Sequence, residues 1–116
     1  MDTITLYHNP RCSKSRQALA LLQERGVEPD IVRYLENPPD VNTLRQLVKA
    51  LNRPVRDILR TKEAPYKELD LARPELDDDS LLEAIAAHPK LLERPIAVKG
   101  DRAVIGRPPE NVLELL

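Results

Sequence analysis

Cys12 is the residue of this sequence best suited to do chemistry. It is the single cysteine among 116 residues and lies within His8–Arg16, HNPRCSKSR. Before it runs Thr3-Ile4-Thr5-Leu6-Tyr7, an alternating, β-rich stretch that predicts a strand. After it, from Ser13, Ala18, Leu19 and Leu22 recur at helical spacing, and Gly26 supplies a stop. Asn9-Pro10 keeps helix from starting earlier, so His8–Arg11 is read as a loop. The thiol therefore falls where a strand hands over to a helix. Backbone N–H groups and the macrodipole favour negative charge at that point, which lowers a cysteine pKa.

A lone cysteine is commonly an inert core residue. Here the neighbours are wrong for a core: Arg11, Lys14 and Arg16 flank the thiol, and Ser13 and Ser15 can donate hydrogen bonds. Cys12-Ser13-Lys14-Ser15 has the form of a redox C-x-x-C whose second thiol is absent. His8 stands four positions earlier, either as a cationic neighbour of the sulfur, as a hydrogen-bond partner for it, or as a loop histidine facing solvent.

Activation alone does little for such a thiol. An ordinary thiol of pKa ~8.5 is about 3% thiolate at pH 7, and a two-unit drop makes it roughly 75%. The accompanying fall in nucleophilicity takes back about tenfold, leaving a gain of roughly two- to threefold. Cations contribute more by binding an anionic substrate beside the sulfur and stabilising the charge of the transition state. Three arginines lie at element ends, off the polar face of any helix. Arg60 closes the helical piece opened by Pro54, Arg94 precedes Pro95, and Arg107 follows Gly106. The planar guanidinium fork suits tetrahedral oxyanions.

These residues need a scaffold. Asp30–Tyr34 reads as a second short strand, and strand, crossover helix and strand make a βαβ unit with parallel strands. Asp40 caps a helix carrying Leu44, Leu47, Val48 and Leu51. A shorter helical piece holds Val55, Ile58 and Leu59, and a short helix is expected near Tyr66–Leu71. Asp77-Asp78-Asp79-Ser80 reads as cap and first turn of a helix bearing Leu81, Leu82 and Ile85, ending near His88-Pro89. Asp77–Asp79 is thus capping rather than a metal site, and His88 is structural. Pro95–Lys99 and Arg102–Gly106 flank Gly100-Asp101, the signature of a two-residue type II′ hairpin. Pro109–Leu115 forms a last helix that can lay Val112 and Leu115 on the sheet. The expected fold is α/β and thioredoxin-like. A four-stranded mixed sheet (βαβ … ββα) forms a single domain over 1–116, with a helical insertion at about 40–90.

Composition fits this. Hydrophobic residues make up 41% and charged residues 32%, with no Trp or Phe, so an ordered chain with an aliphatic core is expected. The formal net charge is −1, and no basic run is interleaved with aromatics, which argues against nucleic acid as a partner. No apolar run is long enough to span a membrane. No metal-ligand spacing, P-loop or G-x-G-x-x-G is present. With strand character from Thr3, no targeting segment, and one unpaired thiol, a cytoplasmic, reducing location is expected.

HNPRCSKSR, Tyr34-Leu35, Arg60, Glu93-Arg94-Pro95-Ile96 and Gly106-Arg107-Pro108 together resemble the glutaredoxin-linked arsenate reductase family, over essentially the whole chain. The resemblance implies a thioredoxin-like fold with an inserted helical part. It implies that Cys12 attacks arsenate to form a Cys–arsenate adduct, that Arg60, Arg94 and Arg107 bind the oxyanion, and that His8 and Ser15 support the sulfur. It also implies that Pro95 is the cis-proline opposite the cysteine. Glutathione, as co-substrate, and glutaredoxin then complete the reduction; no bound cofactor is required. The single cysteine independently fits such a cycle, because a two-electron reduction cannot end in an internal disulfide. Two other readings stand beside it: a general glutathione-dependent thiol oxidoreductase, and a regulator of the Spx type that binds RNA polymerase. Ser15, where Spx-type proteins generally carry the second cysteine, counts against the latter.

Overall fold

The computed structural model describes residues 3–116. The chain divides into two compact units. One holds the chain up to Asn37 together with Arg94–Leu116; the other is Pro38–Glu93.

The first unit is built on a four-stranded sheet. Its strands are β1 (Ile4–His8), β2 (Asp30–Arg33), β3 (Ile96–Lys99) and β4 (Arg102–Ile105), in spatial order β2-β1-β3-β4. β1 and β2 pair in parallel, as the crossover between them requires, and β3 lies antiparallel to both β1 and β4. The sheet is therefore mixed. Lys99 pairs with Arg102 across Gly100-Asp101, and Gly100 takes φ 61°, as the first position of a type II′ turn demands.

Helix α1 (Ser13–Glu24) makes the crossover. It ends in a Schellman motif: Gly26, at φ 78°, donates to the Gln23 carbonyl and Val27 donates to that of Leu22. Ser15, Ala18 and Leu22 form its buried face. Ala18 and Leu22 join Ile4, Leu6, Ala97, Val112 and Leu115 in the core of this unit. The final helix, Pro109–Leu115, is a 3₁₀ helix. With three residues per turn, Pro109, Val112 and Leu115 share one face, and all three are buried.

The helices expected over about 40–90 fall in the second unit. Helix α2 (Val41–Leu51) is capped by Asp40, whose side chain accepts from the Thr43 N–H at 2.8 Å, and buries Leu44, Leu47 and Leu51. Helix α4 (Asp78–Ala87) is capped by Asp77 through the Ser80 N–H, also at 2.8 Å, and packs Leu81, Leu82 and Ile85 inward against α2. A 3₁₀ turn covers Val55–Ile58.

Two boundaries differ from the sequence reading. The short helix expected at Tyr66–Leu71 is α3, Ala64–Glu68. Pro65 suits the first turn, and Asp70, at φ 53°, closes the helix by letting Leu71 donate back to the Tyr66 carbonyl. His8, expected in the loop, is the last residue of β1, because parallel pairing with Arg33 carries the strand one residue further.

Candidate active site

The loop before Cys12 is shaped by Asn9. Asn9, Pro10, Arg11 and Cys12 form a turn in which the Cys12 N–H donates to the Asn9 carbonyl at 3.0 Å. Pro10 suits the second position of that turn. The Asn9 side-chain oxygen accepts from the Arg11 N–H, and the Asn9 N–H donates to Ser15 Oγ, each at 3.0 Å. Arg16 Nη1 donates to the Pro10 carbonyl at 2.9 Å. The turn thus delivers Cys12 to the N-cap of α1 with extended backbone, φ −92° and ψ 123°. The sequence marks Asn9-Pro10 as a turn; the bonds of the Asn9 side chain and N–H within it are what the structure adds.

Beneath this turn lie His8, 5% exposed, and Ser15, fully buried, bonded Nδ1 to Oγ at 2.6 Å. His8 therefore meets Ser15 rather than the sulfur. Burial lowers its pKa, and the charges of Arg33 and Arg16 lower it further, so the imidazole is neutral near pH 7. Of the alternatives for His8, burial excludes a solvent-facing ring, the lowered pKa disfavours a cationic neighbour, and the ring bonds Ser15 in place of the sulfur. The ring instead orients the serine, one helical turn into α1, that also receives the Asn9 N–H.

Cys12 is partly exposed. Burial by itself would raise the thiol pKa. The N–H of Ser15, the charge of Arg94, the N–H of Lys14 and the charge of Arg107 outweigh it, and the pKa is lowered. Both N–H groups belong to the first turn of α1, where the helix dipole adds to their effect on the sulfur.

Arg94 and Arg107 arrive from adjoining strands. Arg94 precedes β3 across a cis bond to Pro95, and Arg107 follows β4, with a second cis bond to Pro108. The two segments are tied together. The Gly106 N–H donates to the Pro95 carbonyl at 2.8 Å, and Arg107 Nε donates to the Arg94 carbonyl at 2.8 Å. Asn111 Nδ2 holds the same segment through the carbonyls of Ile105 and Arg107. Gly106 has no room for a side chain: a Cβ there would meet Pro95 Cγ at 2.7 Å and Val112 Cγ1 at 3.1 Å. Anchored in this way, Arg107 points Nη2 at Cys12 Sγ, 3.8 Å away. Two guanidinium groups thus act on one thiol that carries a lowered pKa, an arrangement able to hold an oxyanion against a nucleophilic sulfur.

Arg60 belongs to the second unit. There its guanidinium pairs with Glu63 at 2.8 Å and approaches the Lys90 carbonyl at 3.4 Å. His88 is exposed and ends α4. Among the described residues no helix is long and apolar enough to cross a membrane.

A βαβ unit joined to a ββ hairpin, with a thiol of lowered pKa at the first helix N-terminus and a cis-proline just before β3, defines a thioredoxin-like thiol protein. Within that class the chain belongs to the ArsC family, whose model matches residues 7–115. It is 54% identical over 114 residues to the uncharacterized protein YfgD of Escherichia coli K12, covering 97% of this chain and 96% of that one. It is 50% identical over 117 residues to an arsenate reductase of Neisseria meningitidis serogroup A, covering 100% of both. The structure of an arsenate reductase from Vibrio cholerae superposes with a TM-score of 0.96 at 50% identity, covering 99% of this chain and 98% of that one.

Proposed function

We propose that this protein is an arsenate reductase that draws its electrons from glutathione and glutaredoxin in the cytosol. The observation that carries the reading is Arg107 Nη2 at 3.8 Å from a Cys12 thiol whose pKa is lowered. The arsenate reductases among its relatives support the choice of oxyanion.

Arg94 and Arg107 hold arsenate, and the Cys12 thiolate attacks arsenic; an oxygen leaves as water once protonated, giving Cys12–S–As(V). Glutathione places a second sulfur on arsenic, with loss of another water. A glutaredoxin thiolate then attacks the glutathione sulfur. The electron pair of the sulfur–arsenic bond stays on arsenic, which becomes As(III), and the two electrons lost appear as a mixed disulfide of glutaredoxin and glutathione. Hydrolysis of the remaining Cys12–As(III) bond releases arsenite and the free thiol. His8 and Ser15 hold the start of α1 in the geometry that keeps Cys12 ionised. The resemblance adds Arg60 as a third arginine for the oxyanion.

A coupled assay with arsenate, glutathione and glutaredoxin tests this. Turnover of the native protein far above a Cys12→Ser control is expected; equal rates from both would overturn the assignment.

A further inference from the structure

β1 has different neighbours on its two sides. The oxyanion arginines come from beside β3 and β4, whereas on the other side an open cavity of about 250 Å³ lies at the carboxyl ends of β1 and β2. In open α/β sheets, ligands enter crevices at the carboxyl ends of parallel strands. This cavity is walled by Arg11 from the Cys12 turn, by Arg33 at the end of β2, and by Leu35 and Glu36 just beyond it. His8 also lines it, with Nδ1 already engaged by Ser15.

Among the described residues, the side chains of Arg11, Arg33 and Glu36 form no ion pair or hydrogen bond. Two cations and one anion on a small cavity, with a partly exposed leucine beside them, match a ligand bearing a carboxylate and an ammonium close together. An α-amino-acid head is such a group. The volume suits that head alone and is too small for a whole peptide.

We infer that this cavity binds the α-amino-acid end of the thiol co-substrate, the γ-glutamyl head of glutathione, with Arg11 and Arg33 on its carboxylate and Glu36 on its ammonium. This rests on the proposed function for the identity of the thiol. Arg11 adjoins Cys12 in the chain, so the cavity borders the same turn that presents the thiol. The oxyanion and the thiol then approach the Cys12 turn from opposite sides of β1 and do not compete for the same arginines.

The test uses S-methylglutathione, which binds but cannot react, titrated into the Cys12→Ser protein and followed by amide NMR shifts. Shifts are expected at His8, Arg11 and Arg33–Glu36. Arg11→Ala and Arg33→Ala should each weaken binding by about tenfold or more. Glu36→Gln should weaken S-methylglutathione but not its N-acetyl derivative. Free glutamate should compete, and inorganic phosphate should not. Shifts confined to Arg94 and Arg107, indifference to all three substitutions, absence of binding, or displacement by phosphate would each overturn the inference. The two proposals fail separately. Cavity binding without arsenate turnover would remove the arsenate assignment alone, whereas turnover with thiol binding elsewhere would remove this site alone.

Discussion

Arg107 reaches Cys12 from 95 residues away, with Nη2 at 3.8 Å from Sγ, while its Nε stays fixed to the Arg94 carbonyl at 2.8 Å. One guanidinium thus both joins the two arginine segments and faces the thiol.

Replacing Arg107 by Ala should remove a charge-assisted donor from the oxyanion and one of the cations that lower the Cys12 pKa. Hydrogen bonds to charged groups are worth ~1.5–3 kcal/mol, so kcat/KM for arsenate should fall roughly 10- to 150-fold. Because Arg107 is exposed but bonds the Arg94 carbonyl, thermal stability should fall only modestly, by about 1 kcal/mol. Steady-state kinetics beside a melting curve checks both; unaltered kinetics would take Arg107 out of the site.

Ser15 is fully buried and serves both the Asn9 N–H and His8 Nδ1. Ser15→Ala takes the partner from buried His8 and from the partly buried Asn9 N–H, and the expected loss of stability is about 1–3 kcal/mol. Urea denaturation measures it. A variant as stable as the native protein would show that these bonds are replaced without cost.

The lowered pKa of His8 makes stability depend on pH. In the unfolded chain the imidazole titrates near ~6.5. Above that value both states are neutral and the contribution of His8 is fully present. As pH falls through it and on through the lower folded value, the unfolded state takes the proton first and the contribution is lost. Urea midpoints should therefore fall from about pH 7 to about pH 5, and His8→Gln should flatten the slope. An undiminished slope in that variant would assign it to other groups.

Gly106→Ala tests how tightly the arginine segments are locked. The new Cβ meets the Pro95 ring and Val112, and overpacking of this kind costs ~1–3 kcal/mol. Since Gly106 adjoins Arg107, arsenate turnover should fall along with the melting temperature. Native values for both would mean that the Pro95 ring yields freely.

Local pattern revealed most of the scaffold. Alternation marked the strands, Gly26 and Asp40 marked helix ends, and Gly100-Asp101 marked the hairpin. It also placed Cys12 at a helix start, and position at element ends singled out Arg60, Arg94 and Arg107 together, of which Arg107 bonds the sulfur. What sequence could not reveal depends on pairing between strands. Arg33 stands beside His8 only because β1 and β2 are parallel and in register, and that proximity helps keep the imidazole neutral. Likewise, the spacing of Val112 and Leu115 is compatible with either helix type. The buried Pro109 three residues earlier is what suits the 3₁₀ form.

The central claim is that the Cys12 thiolate and the oxyanion site are one place. The rate of Cys12 alkylation by iodoacetamide against pH, with and without arsenate, tests it most directly. The account predicts an inflection below the ordinary thiol value of ~8.5 and marked slowing by arsenate. An inflection at that ordinary value with no protection by arsenate would contradict it.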